Sequence, residues 1–374
     1  MTIEIDALVI GAGMAGASIG AELARDRNVV LLERESQPGY HSTGRSAALF
    51  SECYGNRPVR ALSRASRNFF FNPPAGFTSV ELTKARGALH VATKDQLGAL
   101  EGLRAQPDFA AQTKHVDGDE ARALAPILTK DWVAGLYERE ARDVDVHALH
   151  QAYLAALRER GSSLRTDTVP RTIERKGDRW KVETGSETFL TPLLVNAGGA
   201  WADVIAQQAG VKTIGLVPMR RTAILLEAPA GHTVDSWPMV IDAEEQFYFK
   251  PDAGTLLVSP ADETPSEPCD AQPDELDVAI AVERFEQATT ERVRRISHRW
   301  AGLRSFVADR APVVGYAKNA PGFFWVAGQG GYGIQTAPGL SAAAAALARN
   351  QALPEFVARE GVTASDLSPD RFAD

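Results

Sequence analysis

An α/β fold is what this sequence predicts, and three observations carry the prediction. Within the first 33 residues an apolar strand, a glycine triplet, a helix of small residues and a second strand follow one another. A strand–glycine–helix element recurs near residue 200, and an apolar strand with a glycine-rich turn near 325. Between these, alternating segments from 223 to 259 read as neighbouring strands of an antiparallel sheet. The expected architecture is a Rossmann-like dinucleotide-binding domain with an inserted α+β domain built on an antiparallel sheet.

Taken in order, Ala7 to Ile10 form a buried strand, Met14 to Ala24 a helix, and Val29 to Leu32 the next strand, which ends at Glu33. Gly11 permits the tight turn, Gly13 lets the backbone approach a pyrophosphate, and Gly16 lets helix and sheet pack closely. Free N–H groups at the helix start face the phosphates, and Glu33 accepts from a ribose 2′-hydroxyl. A glycine triplet alone would be an ordinary turn; the strand, helix and acid around it point to a dinucleotide. The polar stretch from Gln37 to Ser46 is expected as an ordered loop leading into Ala47–Phe50.

Strand candidates then lie around Gly87–Ala92, and helices near Asp95–Ala105 and Asp119–Ala125. Asp145 can cap a helix from Val146 to Arg160, whose Leu149, Tyr153 and Leu157 share a face. Leu190–Val195 reads as one buried strand, followed by Asn196–Gly199 and a helix from Trp201 to Gln208. Ala223–Leu226, Gln246–Lys250 and Thr255–Ser259 read as strands, with a turn at Pro251–Gly254. One long helix is expected from Asp274 to Ile296, with the arginines of 292–295 on its solvent side or end. Phe323–Ala327 is a strand, Gly328–Gly333 a glycine-rich turn, and Ile334 begins the terminal helix. The dinucleotide-binding half then comprises 1–76, 144–215 and 300–374, and the inserted half 77–143 and 216–299.

Composition narrows the function classes. The chain has 374 residues, 44% of them hydrophobic, enough for two or three domains with a large core. No run reaches the ~18 apolar residues a membrane-spanning helix needs, and the alanine-rich Ser341–Ala348 suits a buried helix. The N-terminus lacks a basic, apolar and cleavage-site succession, so a cytoplasmic location is expected. Two cysteines, Cys53 and Cys269, cannot make a disulfide scaffold. A net charge of -8 opposes nucleic-acid binding, so no nucleic-acid partner is expected. The seven histidines are scattered; His147 and His150 share a helix face without a third ligand, so no metal is expected and packing or surface roles suit them.

Four longer motifs add to this reading. Gly39–Ala48, Phe247–Gly254, Trp300–Phe306 and Gly330–Thr336 together resemble the flavin-contact regions of D-arginine dehydrogenase-like enzymes, within the D-amino-acid oxidase and glycine/sarcosine oxidase superfamily. The resemblance covers nearly the whole chain. It implies noncovalent FAD, held in a Rossmann-like FAD-binding domain with the isoalloxazine ring at the domain interface. It also implies oxidation of a D-amino acid to an imino acid, which water converts to a 2-oxo acid and ammonia. The α-hydrogen would pass as hydride to flavin N5, and the electrons then to an unidentified acceptor other than oxygen.

The resemblance also implies site residues. FAD contacts fall on Gly11, Gly13, Met14, Ala15, Gly16, Glu33, Arg34, His41, Gly198, Trp201 and Gly302. Ser46, Ala47 and Ala48 would line the ring, although small residues there also suit a core. Ser42, Thr43 and Arg45 are phosphate or ring contacts, or loop caps; Val169 is an adenine-side contact or core packing. Gly330, Gly331, Tyr332, Gly333, Ile334, Gln335 and Thr336 would aim backbone N–H groups at the flavin O2 side, with Gly331 and Gln335 also near substrate.

For the substrate carboxylate, arginine offers a planar fork. Strand alternation could turn one of Arg220 and Arg221 inward; the resemblance selects Arg221, with a structural ion pair as its alternative, and Arg304 in the matched motif. Strand alternation separates Tyr248 from Phe247 and Phe249 and sends its hydroxyl to the pocket. Tyr54 lies in a loop that can close over the site, or is a surface aromatic.

Two departures from the pattern bear on specificity. Leu49 stands where a histidine follows the paired alanines, which removes a general base. Ala88 stands where a glutamate would meet a guanidinium, so apolar or uncharged side chains are favoured over arginine. Late-cysteine flavin attachment has no counterpart here, and His41 is the remaining covalent alternative. An oxygen-using D-amino-acid, glycine or sarcosine oxidase is a second reading, and a flavoprotein acting on modified nucleic acid a third.

Overall fold

The structure, a computed structural model, describes residues 2–372. Numbering the elements that build the site in chain order, the first are β1 (Ala7–Ile10), α1 (Met14–Leu23) and β2 (Val29–Leu32), each within a residue of its expected span. Then come β3 (Ala88–Thr93), β4 (Trp132–Glu138), α2 (Val146–Glu159), β5 (Ser163–Arg165) and β6 (Leu193–Asn196). The remainder are β7 (Val217–Glu227), β8 (Met239–Asp242), β9 (Tyr248–Asp252), β10 (Thr255–Ser259), α3 (Glu275–Ala288), β11 (Ile296–Phe306), β12 (Val313–Tyr316), β13 (Phe323–Ala327) and α4 (Ala337–Ala348).

Two sheets dominate. The first runs β5-β2-β1-β6-β13-β12, parallel except for β12 against β13. Its strands β1 and β2 are buried along their whole length, as an apolar run covered on both faces requires. One core, with Leu31, Tyr153 and Leu340, lies between this sheet and α1, α2 and α4; the other, with Leu8, Phe189 and Trp325, fills the opposite face. The Asp145 carboxylate caps α2 through Ala148 N at 2.8 Å. α4 is buried along most of its length, in line with its alanine-rich sequence.

The second sheet has nine strands. Its order runs from Thr264–Pro265 through β7-β10-β9-β8-β3-β4 to Lys114–Asp117, with β11 also paired to β7. It is antiparallel except where β8 runs parallel to β3. β11 continues through residue 300, so the division expected there falls inside a strand. A four-stranded and a three-stranded sheet complete the fold.

Three expected elements are corrected. Leu190–Val195 is not one strand: Thr188–Thr191 joins the four-stranded sheet and β6 the parallel one. Pro192 sits at the break, where a missing N–H interrupts any ladder. The helix expected to reach Ile296 stops at Ala288. Thr289 turns extended and bridges Leu128, and Thr290 N donates to the Ile127 carbonyl at 2.8 Å, so the chain leaves the helix for β-type pairing. Arg292, Arg294 and Arg295 therefore lie beyond the helix, exposed. The terminal helix begins at Ala337, three residues later than expected. The Tyr332 carbonyl accepts both Thr336 N (3.1 Å) and Thr336 Oγ1 (2.8 Å), which holds 332–336 in a turn, and Pro338 suits the first helical turn.

Candidate active site and cofactor cleft

The glycine loop is locked to its surroundings. Gly11 has φ +100°, and a Cβ there would lie 2.4 Å from the Ala197 carbonyl oxygen; one on Gly16 would lie 1.7 Å from that of Gly11. Only glycine fits either position. Glu33 is buried, with Oε2 accepting from Ala12 N at 2.9 Å and Oε1 from Glu35 N at 3.1 Å. Each oxygen keeps a lone pair for a further donor. His150 Nε2 lies 2.8 Å from the Ala12 carbonyl oxygen, so this histidine braces the loop. The N–H of Met14, expected to be free, is taken by Thr43 Oγ1 at 2.9 Å. Among the described residues no protein acceptor is found for the amides of Gly13, Ala15 and Gly16.

Three connected cavities make one cleft. The outermost is walled by Gly11, Gly13, Glu33, Arg34, His41, Val169, Gly198 and Trp201. Arg34 lies 4.5 Å above the Trp201 ring, and His41 is held 2.9 Å from a Glu35 oxygen. Val169 is 51% exposed, which rules out core packing for it. The middle cavity shares Gly13, Ser42 and Thr43 with the outer one and adds Met14, Ala15, Arg45, Ser46, Ala47, Gly302, Gly330 and Gly333. The inner pocket shares Ala47, Arg221, Tyr248, Arg304, Gly331 and Ile334 with the middle one, and adds Ala48, Leu49, Tyr54 and Gln335. Most residues expected to meet cofactor or substrate thus lie on one continuous surface.

Some do not. Gly16 lies beneath the loop, and Thr336 turns its hydroxyl into the 332–336 turn. Tyr332 packs edge-on against Tyr54 at 4.8 Å and faces a chamber outside the pocket. Ala88 is fully buried, and its strand partner Met239 forms the wall instead. The Arg45 guanidinium is occupied: it donates to the Ala271 and Ala301 carbonyls at 2.9 Å each and pairs with Asp270. It fastens the loop to the opposite sheet and presents no free charge to a phosphate. The backbone amides expected at a helix start instead sit in the loop, where those of Gly333 and Ile334 have no protein acceptor among the described residues.

The nine-stranded sheet supplies the inner wall. Tyr248 and Phe247 separate as alternation requires: Phe247 stacks with Phe249 in one core, and Tyr248 joins Ala223 and Met239 in another. Arg304, facing the pocket from β11, donates to Tyr54 Oη at 3.0 Å and has no carboxylate within ion-pair distance among the described residues. A Cβ on Gly331 would lie 2.9 Å from its guanidinium, so glycine there leaves the arginine room. Arg221 also lines the pocket, but its Nη2 pairs with Glu263 at 3.0 Å and its Nε donates to the Asp262 carbonyl at 2.8 Å. The structural ion pair is therefore present, and Glu263 is shared with Arg310. Burial would push the Tyr248 phenol up; Arg304 and Arg221 outweigh it and hold it below its usual value. The pocket is electropositive at this end.

Three features escaped the sequence reading. His90 lines the pocket two residues from Ala88 on the same strand face, and only that spacing hinted at it. Lys250, deeply buried, donates to the Ala47 carbonyl at 2.9 Å and pairs with Asp143 at 2.6 Å, which positions the Ala47 loop. Glu138 accepts from Ser51 Oγ at 2.6 Å and Glu52 N at 2.9 Å behind the pocket, and burial pushes its carboxyl up to about 7. Gln335, expected near the ring and substrate, lines the pocket and is clamped between Ser51 N (3.3 Å) and Ser63 Oγ (2.8 Å). No cluster of three or more metal-ligating side chains occurs among the described residues.

A model of the FAD dependent oxidoreductase (DAO) family matches residues 6–347. This chain belongs to that family. The family's cofactor is FAD, and the cleft fits it: a buried acid beyond β2, unpaired amides at the glycine loop, and glycines where any Cβ would collide. A tRNA 5-methylaminomethyl-2-thiouridine biosynthesis bifunctional protein MnmC of Burkholderia vietnamiensis is 30% identical over 344 residues, 83% of this chain and 48% of that protein. The chain thus spans about half the length of such relatives. Glycine oxidase from Geobacillus kaustophilus superposes with a TM-score of 0.81 at 21% identity, covering 93% of this chain and 95% of that one. L-proline dehydrogenase from P. horikoshii gives 0.82 at 22% identity over 100% and 98%. The DAO-type fold, with its FAD-binding and substrate domains, is shared with them. The chain is an FAD-dependent oxidoreductase. No helix among the described residues is long and apolar enough to cross a membrane.

Proposed function

We propose that this DAO-family chain carries out oxidative deamination of D-amino acids with apolar or uncharged side chains, yielding 2-oxo acids and ammonia through an imino acid, with electrons leaving to an acceptor other than oxygen. One observation carries the reading: Arg304 stands where the middle cavity meets the inner pocket, hydrogen-bonded to Tyr54 but without an acid partner of its own. A substrate carboxylate is the anion that completes it, with the Tyr248 hydroxyl as a further donor. Arg221 adds positive charge, tempered by Glu263.

Bound FAD supplies the two-electron acceptor for the α-carbon hydrogen. The chain supplies alignment: Arg304 and Tyr248 fix the acid group, Gln335 is immobilised beside them, and Lys250 holds the Ala47 loop. Leu49, Met239 and Ile241 give the side-chain pocket an apolar wall, and among the described residues its one carboxylate, Glu245, is exposed at the rim. Leu49 offers no base, so a substrate whose amine is already neutral, or a water-mediated path, would handle the amino proton. The D configuration and the acceptor preference rest on the motif resemblance. Neither cysteine lines the cleft, which supports noncovalent FAD; acid precipitation should leave the yellow colour in the supernatant.

The deciding experiment is anaerobic mixing of holoprotein with both enantiomers of an amino-acid panel, following bleaching of flavin absorption. Fast bleaching by uncharged D-amino acids is expected, with D-arginine poorer. Equal or better kcat/KM for D-arginine would refute the specificity, and stoichiometric peroxide the acceptor. The 30% identity to tRNA-modifying relatives favours one second reading, the same oxidation on an aminomethyl group of a modified nucleoside. The net charge of -8 opposes it. Flavin reduction by modified RNA but by no free amino acid would establish it.

A further inference from the structure

His90 is a polar group on the wall of the inner pocket that no part of the proposed chemistry uses. It is 7% exposed, it borders both the pocket and the chamber beside Tyr332, and among the described residues its ring neighbour is Phe109, edge-on at 5.2 Å. No hydrogen bond from protein to either ring nitrogen is found among the described residues. Burial lowers its protonation point to about 4, so the ring is neutral near pH 7 and offers one donor and one acceptor. Its ring nitrogens are not among the fully buried unpartnered atoms, so they open onto the cavity, where a ligand group can meet them as a partner.

The sheet states where that partner comes from. His90 on β3 is in register with Ile241 on β8, and Ile241 with Tyr248 on β9. All three side chains therefore share the face that walls the pocket. Two strand spacings of ~4.8 Å separate His90 from Tyr248, about 10 Å across the sheet. That span accommodates an amino acid anchored by its carboxylate at Arg304 and Tyr248 whose side chain crosses the apolar wall to His90.

We propose that His90 is a specificity residue that receives the distal end of the substrate side chain and selects those ending in an uncharged hydrogen-bonding group, an amide or hydroxyl, over purely apolar ones of the same length. The proposal rests on the reading of this cavity as the amino-acid pocket and deepens it by naming the substrate class. No proton transfer to flavin or substrate nitrogen is assigned to the imidazole.

The test compares glutamine with methionine and tyrosine with phenylalanine, both enantiomers, in holoprotein carrying His90→Leu or His90→Gln. His90→Leu should lower the polar-to-apolar ratio of kcat/KM about 10-fold, the worth of one hydrogen bond, while His90→Gln retains most of it. A merely structural role would lower all rates together and leave the ratio unchanged. Binding gives a second readout that needs no variant. Among unreactive carboxylates of matched length, one ending in an amide should shift the His90 imidazole 15N resonances of the wild type, and one ending in a methyl should not. An unchanged ratio, or equal 15N shifts, overturns the role of His90 while leaving the pocket intact. Failure of every amino acid to reduce the flavin, with no carboxylate binding, would instead overturn the underlying reading.

Discussion

Arg304 and Arg221 illustrate how two like residues on paired strands acquire different duties. Arg221 is neutralised by Glu263, which it shares with Arg310, whereas Arg304 donates to Tyr54 Oη, has no acid partner among the described residues and faces the open pocket. Arg304→Met should weaken binding of a small carboxylate by roughly 2–5 kcal/mol, read from perturbation of the flavin spectrum, with FAD content unchanged. Undiminished affinity would show that the acid group lies elsewhere. Arg304→Lys should recover only part of the loss, because a point charge lacks the planar fork. At this scale the sequence was legible where alternation applies, as at Tyr248, whose pocket-facing side follows from a period of two. It was not legible at Arg45, whose partners are carbonyls and an acid more than 200 positions away. At His90 the one sign was its two-residue spacing from Ala88 on the same strand face, which does not say which cavity it borders.

At the scale of elements, the β3–β4 pairing places Glu138 opposite Ala88 and buries a carboxyl behind the pocket. Its protonation point rises from the usual 4.5 to about 7, burial outweighing the Ser51 and Glu52 donors. Below about pH 4.5 folded and unfolded chains both hold this proton. As pH rises towards 7 the unfolded chain releases it first, so the group's contribution to stability falls across that window and is lost above the folded value. The shift corresponds to at most about 3 kcal/mol. Glu138→Gln should therefore gain on the wild type between pH 5 and pH 8 in urea unfolding; parallel pH profiles for the two proteins would refute this. The first βαβ unit and α2 were legible because apolar runs and the Asp145 cap mark their boundaries, whereas the break at Pro192 and the late start of α4 were not. The end of α3 was not, since Thr289 and Thr290 leave the helix for Leu128 and Ile127, partners more than 160 positions distant.

Across the whole molecule, the cleft from Glu33 to Tyr248 is walled by segments drawn from nearly the full length of the chain and by both large sheets. FAD filling it would link the two sheets, and folding and cofactor binding should be coupled. FAD at 100 times its Kd should stabilise the apoprotein by about 2.7 kcal/mol, seen as a rise in Tm. Gly11→Ala, which drives a Cβ into the Ala197 carbonyl, should abolish that rise. A Tm indifferent to FAD in the unmodified chain would contradict the coupling.

Local spacing determined the βαβ unit, its glycines and the α2 cap, because each depends on residues close together in the chain, while FAD followed from the resemblance of four separate motifs. Only the tertiary structure decided that Arg221 is paired and Arg304 is not, that Lys250 holds Ala47, and that His90 shares a sheet row with Tyr248. Those outcomes depend on strand register and on charges meeting across long stretches of chain. Register is set by packing of the whole sheet, which no single segment encodes.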